Sequence, residues 1–435
     1  MDRISRLWYR ISSTFWFLPT LIVTGAGVLA IVAIEADSRF VASGALEDWP
    51  RLFGAGASAS RSMLTAVAGS MITVAGTVFS ITLVALSLAS SQYSSRVLRN
   101  FMRDHVNQAV LGVFVGIFAY CLIVLRSIHG SDDDAFVPSV AVFVGLLLGF
   151  GGIAVLVFFI HHIARSIQAS QIVEAVRSET CAAIERLFPV RVPGTADAAT
   201  PATPVTSGTW HAVAQVRRGG YLQFVDYAQL RDAAIAHGVC LKVHPEVGDY
   251  LLEGDAMLSA SPNLPPGLAE AVCRCWSVGA QRTLEQDVGF GIRQLVDVAL
   301  RALSPGVNDT TTAIMCIDAC TTVLACLESR DLRFDGCRAD GVARVETRHP
   351  AFSDLVDDAF DQIRHSGRDD AAVLQRLCWA LAKLSSRTRS ASNRAVFRRH
   401  ADRIEGTVMR DLHDPGERAR LQAALATMAD AAEPQ

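Results

Sequence analysis

Residues 281–318, QRTLEQDVGFGIRQLVDVALRALSPGVNDTTTAIMCID, concentrate the polar side chains from which a site could be built. They hold Asp287, Asp297, Asp309 and Asp318 with Arg282, Arg293 and Arg301, around the turn Ser304-Pro305-Gly306-Val307-Asn308-Asp309. Carboxylates near such a turn can face a cation or a small ligand. The candidate pocket or turn comprises Asp287, Ser304, Asn308, Asp309 and Asp318. A structural reading competes with it, because Asn and Asp accept hydrogen bonds from the free N–H groups of a helix's first turn. Asn308 or Asp309 would then cap a helix over 310–328. Asp318 lies about 180° around that helix from the cap, so it shares no face with Asp309.

A second spaced set is made of hydroxyls. Within TVAGTVFSITLVALSLASSQYSSRVLRNF, residues 73–101, Thr73, Thr77, Ser80, Ser87 and Ser91 fall on one helical arc with Val84, and Gly69, Ala66 and Ser62 extend it backwards. Small residues let membrane helices approach closely, so the stripe reads as a helix-packing seam. Packing is the default reading; the stripe's persistence over several turns into a basic exit, Arg96 and Arg99, also fits the wall of a neutral pore. No G-x-S-x-G, Walker loop, HExxH or Rossmann glycine triplet is present, so no enzyme activity or cofactor is expected. Cys273 with Cys275, and Cys316 with Cys320, lack the second pair that a zinc site needs, so no metal is expected. The cysteines read as small residues buried in a reducing compartment. Formal net charge is −3, without a basic arm, which argues against a nucleic-acid partner.

The elements that must carry these residues fall into two halves. Charged residues make up 19% of the chain and avoid its first part: between 105 and 160 they are Arg126 and Asp132–Asp134 only. A membrane span needs about 20 mostly apolar residues. Spans are expected at 15–34, 62–90, 110–126 and 137–160, forming a transmembrane domain over 1–165. Arg3, Arg6 and Arg10 precede the first span, Arg96, Arg99 and Arg103 follow the second, and Arg165 and Arg177 follow the fourth. The loop before the fourth is acidic. By the positive-inside rule both termini face the cytoplasm of a bacterial inner membrane. Trp8, Tyr9, Phe15, Trp16 and Tyr93 supply interfacial aromatics.

Beyond the spans, 166–209 reads as a helical continuation of the fourth span and a Pro/Thr-rich linker. Residues 210–262 read as a small β-rich module resembling the barrel-sandwich fold of lipoyl and biotinyl carriers. Val239, Leu241 and Val243 alternate like a strand there, and Asp226 opens a helix over 227–236. Lys242 lies mid-strand and not at a hairpin tip, which excludes a swinging-arm cofactor. Residues 263–435 read as a helical cytoplasmic domain, with helices at 291–303, 310–328, 352–365, 370–386, 390–411 and 415–430. The fold class expected is therefore membrane all-α with four transmembrane helices, followed by a cytoplasmic α+β part.

The blocks GTVFSITLVALSLASSQYSSRVLRNFMRD, LGVFVGIFAYCLIVLRSI and QDVGFGIRQLVDVALRALSPGVNDTTTAIMCID resemble a bacterial predicted membrane protein family, domain of unknown function 2254. The likeness runs through nearly the whole chain. In that family the turn commonly continues with Pro after the Asp, where this chain has Thr310. The resemblance implies a four-span inner-membrane protein with a cytoplasmic domain, and brings no catalytic residue or substrate. The function expected is a homo-oligomeric channel-like protein, with the hydroxyl-lined second span near its axis and a regulatory cytoplasmic domain. The alternative is a non-conducting scaffold or sensor whose cytoplasmic domain binds a protein partner or small ligand. The lipid bilayer and further copies of the chain are the other expected partners.

Overall fold

A computed structural model describes residues 16–42, 56–92, 105–129, 137–166, 168–190, 209–261, 272–332, 338–339 and 342–431. Trp8, Tyr9, Phe15, Tyr93, the arginines at 96, 99 and 103, Asp132–Asp134 and most of the Pro/Thr-rich linker lie outside the described residues. The chain divides into two compact units, Met1–Gln168 and Ala169–Gln435.

The first unit contains α1 (Phe17–Ala42), α2 (Ala57–Gln92), α3 (His105–Ser127) and α4 (Ser139–Ser166). All are long and apolar enough to cross a membrane. α3 is the most enclosed of them and packs on the other three; its Phe114, Tyr120, Cys121 and Val124 are fully buried. Glycines bring the helices together. A methyl group at Gly112 would meet the backbone of Pro19 at 2.9 Å, and Gly145 and Gly152 leave similar room for Leu64 and Met71 of α2. The Tyr120 hydroxyl donates to Ala141 O at 2.9 Å, satisfying a buried polar group between α3 and α4.

α1 runs past the expected end at 34 and carries Asp37 into the helix bundle. The carboxylate is fully buried and accepts from Val140 N at 3.0 Å, so α1 caps the first turn of α4. This cap crosses between helices 103 residues apart, beyond any local capping pattern.

The second unit opens with α5 (Ala169–Leu187). This helix packs on other helices of the second unit and is separate from α4, where the sequence suggested one continuous helix. Then follow β1 (His211–Gln215), β2 (Gly220–Val225), α6 (Tyr227–Ala236), β3 (Cys240–Val243), β4 (Tyr250–Leu251), β5 (Ala256–Ser261) and β6 (Trp276–Gly279). α7 (Val288–Ala302) and α8 (Thr310–Glu328) precede short strands β7 (Arg338–Ala339), β8 (Val342–Ala343) and β9 (Val345–Glu346). The chain closes with α9 (Phe352–Ser366), α10 (Ala371–Arg387), α11 (Ala391–Asp411) and α12 (Pro415–Ala431).

Two sheets, β1-β5-β3-β9 and β4-β2-β6, share one core of Leu222, Leu230, Leu241, Met257 and Leu258. β6 pairs antiparallel with β2, and β9 pairs parallel with β3, so the sheets draw strands from beyond residue 262. Lys242 lies within β3 and binds Glu346 of β9 at 2.7 Å.

α8 is a fifth helix apolar enough for a span. It packs on α5, α7, α9 and α10, and Cys316, Ile317, Cys320, Val323, Leu324 and Leu327 are completely buried. Its apolarity therefore serves the interior of the second unit. Each such side chain contributes roughly 1.5–3 kcal/mol on burial.

Candidate functional site

α7 places the two ends of the 281–318 block at opposite poles. At its N-terminus, Asp287 is the cap, accepting from Phe290 N at 2.9 Å. Arg282 grips the same carboxylate with two hydrogen bonds, 2.7 Å and 2.8 Å. Asp287 is 5% exposed, and this paired geometry is what allows a carboxylate to be buried. Gly248 presses its backbone onto the pair: its φ is +104°, and an added Cβ would stand 2.5 Å from Asp287 Oδ2. Only glycine fits there, for both backbone and steric reasons.

The pair walls a cavity of about 280 Å³ within the second unit. Its charged lining is Glu246, Asp249, Asp287, Asp354 and Asp358 against Arg282 and Arg348, with Tyr227 and His349 also present. The segment joining β3 to β4 supplies Glu246 and Asp249, and α9 supplies Asp354 and Asp358. Burial raises the Glu246 carboxyl to about 7, with Asp249, Asp287 and Asp354 adding to the shift and Arg348 opposing it. Burial lowers His349, which favours its neutral form. The cavity is thus an acidic recess in which one carboxyl titrates near neutrality.

At the far end of α7 the turn is structural. Ser304 Oγ donates to Arg301 O at 2.7 Å, and Asn308 adopts φ +50°, a left-handed conformation that Asn tolerates. That residue aims Asp309 at the start of α8, where it accepts from Thr312 N at 3.0 Å and Thr312 Oγ1 at 2.6 Å. These bonds from Thr312 hold the Asp309 carboxyl below its ordinary range. Thr310 donates to Asp370 Oδ2 at 2.5 Å, so a side-chain bond to the cap of α10 fixes the turn.

Asp318 projects elsewhere, to a bidentate pair with Arg376 of α10 at 2.5 Å and 2.7 Å. The Arg376 guanidinium also lies 3.9 Å from the Trp379 ring centroid. The five residues proposed as one pocket therefore separate. Asp287 lines the cavity; Ser304, Asn308 and Asp309 form the turn about 22 Å away along α7; Asp318 anchors α10. Sequence reasoning missed Glu246, Asp354 and Asp358, which come from segments with no shared motif. Among the described residues no group of three His, Cys, Asp or Glu is placed to hold a metal ion.

On α2, Thr73, Thr77, Ser80 and Ser87 are all exposed, while Leu64, Ala68, Met71, Ala75 and Val78 form the buried face. The close packing with α4 thus uses a different face from the hydroxyl stripe. Thr73, Thr77 and Ser80 donate to the carbonyls of Gly69, Thr73 and Gly76 one turn back, at 2.8 Å, 3.1 Å and 2.9 Å. That satisfies each donor within the helix and leaves hydroxyl lone pairs outward. Ser91 belongs to α2, but its side chain lies outside the described ones.

Uncharacterised proteins of Mycobacterium bovis and Mycobacterium tuberculosis are 33% identical over 428 residues, covering 96% of this chain and 80% of theirs. No solved structure matches. The family model described as predicted membrane protein, DUF2254, matches residues 12–383. With apolar helices in the first unit and a family match running through both units, the chain belongs to this predicted membrane protein family.

Proposed function

We propose that this membrane protein is a sensor whose C-terminal unit takes a small cationic ligand, an amine or guanidinium compound, in the Arg282–Asp287 cavity. One observation carries the reading. Of the two guanidiniums in the cavity lining, Arg282 is paired with Asp287, which leaves Arg348 among Glu246, Asp249, Asp354 and Asp358; Arg293, which also acts on Asp358, is itself paired with Asp297. A bound ammonium would relieve that imbalance and pair with carboxylates that are costly to ionise together. A cavity of about 280 Å³ suits a small molecule.

The role proposed is binding, carried by the carboxylates and guanidiniums that line the cavity. The arginine distribution supports four spans, α1–α4, in a bacterial inner membrane with both termini cytoplasmic. Two small sheets over a shared core favour the barrel-sandwich-like description of the β-rich module. Calorimetric titration of the full-length protein in nanodiscs with spermidine tests the binding. Saturable binding is expected near pH 7.5, weakened about tenfold or more in Asp358→Asn. No binding at millimolar spermidine, or equal binding in that variant, would refute it.

A second reading has its own observation. The outward hydroxyls of α2 favour a homo-oligomer in which several copies of this face surround a neutral, channel-like path.

A further inference from the structure

Two cysteines 145 positions apart in sequence meet inside the second unit. Cys181 of α5 and Cys326 of α8 have their sulfurs 3.5 Å apart. The ends of both helices are tied beside them: Asp331 N donates to Pro189 O at 3.0 Å, and Arg330 Nη1 donates to Phe188 O at 3.1 Å. The two thiols are therefore held as neighbours by the backbone. Cys181 is buried, whereas Cys326 is partly exposed. Arg177, one turn before Cys181 and ion-paired with Glu174, and Arg330 place positive charge near the sulfurs; Glu185 opposes it.

We infer that Cys181 and Cys326 form a hydroperoxide-sensitive dithiol pair, with Cys326 as the attacking sulfur and Cys181 as the resolving one. The contact between the two sulfurs has the largest influence on Cys326 and draws its thiol downward, with Arg177 and Arg330 adding to the shift. Cys326 is the sulfur an oxidant can reach, because it is partly exposed while Cys181 is buried. An accessible thiolate beside a resolving thiol is the arrangement that oxidises selectively.

The chemistry balances with a hydroperoxide as oxidant. Cys326 Sγ attacks the terminal peroxide oxygen, the O–O bond breaks, and the alkoxide leaves as an alcohol after taking a proton; Cys326 is now a sulfenic acid. The sulfur of Cys181 then attacks Cys326 Sγ. The S–O bond breaks, and hydroxide leaves as water with the Cys181 proton. Two thiols are oxidised to one disulfide, and one peroxide is reduced to alcohol and water. Closing from 3.5 Å to a disulfide bond of about 2.05 Å requires a modest side-chain movement. The product clamps α5 onto α8.

The test uses the reduced full-length protein in detergent. After one equivalent of hydrogen peroxide, free thiols are blocked with N-ethylmaleimide and the peptides mapped by mass spectrometry. A peptide pair linked through Cys181 and Cys326, reversed by dithiothreitol, is expected. Cys181→Ser should leave Cys326 as a sulfenic acid that dimedone traps. Before oxidation, Cys326 should react with iodoacetamide at pH 7 about tenfold faster than Cys273, which is also partly exposed. The inference is overturned if both cysteines remain alkylatable while others oxidise, or if Cys326 links to a different cysteine. Reaction of Cys326 no faster than Cys273 overturns it as well.

Discussion

Glu246 sits between β3 and β4 with its carboxyl half-buried beside Asp249, Asp287 and Asp354, and replacing it with glutamine isolates the energetic consequence of that placement. Its carboxyl moves from 4.5 to about 7 on folding. Between those values the folded protein holds a proton that the unfolded chain has released, so stability falls as pH rises through the interval. The stabilisation is fully present below about pH 4.5 and gone above about pH 7. The full interval corresponds to about 3 kcal/mol. Solvent access along the open side of the cavity reduces this to roughly 1–2 kcal/mol. For a unit of this size that is about 2–6 °C in Tm.

Glu246→Gln keeps the shape and removes the titration. Differential scanning fluorimetry of both proteins in one detergent should give matching Tm values near pH 4 and a higher Tm for the variant near pH 8. The same variant should bind spermidine less well, an exchange of stability for ligand affinity expected at a binding site. An offset that is equal near pH 4 and near pH 8, or a variant less stable near pH 8, refutes the electrostatic account of the cavity.

Asp309→Ala removes the cap of α8 and should cost about 1 kcal/mol in chemical denaturation while leaving spermidine binding intact, since the cap and the cavity lie at opposite ends of α7. Because the folded state holds the Asp309 carboxyl low, that contribution should be full above its ordinary value of 3.8 and fade as pH falls below it. Gly291→Ala would drive a methyl group into Thr180 Oγ1 of α5 and should lower stability by roughly 1–3 kcal/mol, read as a drop in Tm. Cysteines at Thr77 and Ser80 should label with a water-soluble maleimide in native membranes, and cysteines at Ala75 and Val78 should not; uniform protection would remove the channel reading.

Much of the fold is readable from local pattern. The helices at 310–328 and 227–236 have the bounds that their periodicity and caps predict, and 352–365 and 390–411 agree within a residue. Asp226 caps its helix as its spacing predicts, and of the two candidates Asn308 and Asp309 it is Asp309 that caps α8. The membrane character of the first part follows from composition, because long apolar runs have few other uses. Gly112 and Gly145 stand where α3 and α4 approach their neighbours closely.

Tertiary structure decided what spacing cannot encode. A helical wheel identifies a stripe of hydroxyls on α2 but not its direction; burial on Leu64, Met71 and Val78 turns that stripe away from the neighbouring helices. The apolarity of α8 resembles that of a span until α5, α7, α9 and α10 cover it. Asp287 and Asp309 look like partners in one pocket along the chain, yet a rigid helix of 15 residues holds them apart. Glu246 and Asp358, or Cys181 and Cys326, share no local motif and meet only because separate elements pack together. Periodicity reports what each segment must bury, whereas long-range packing determines which distant side chains become neighbours.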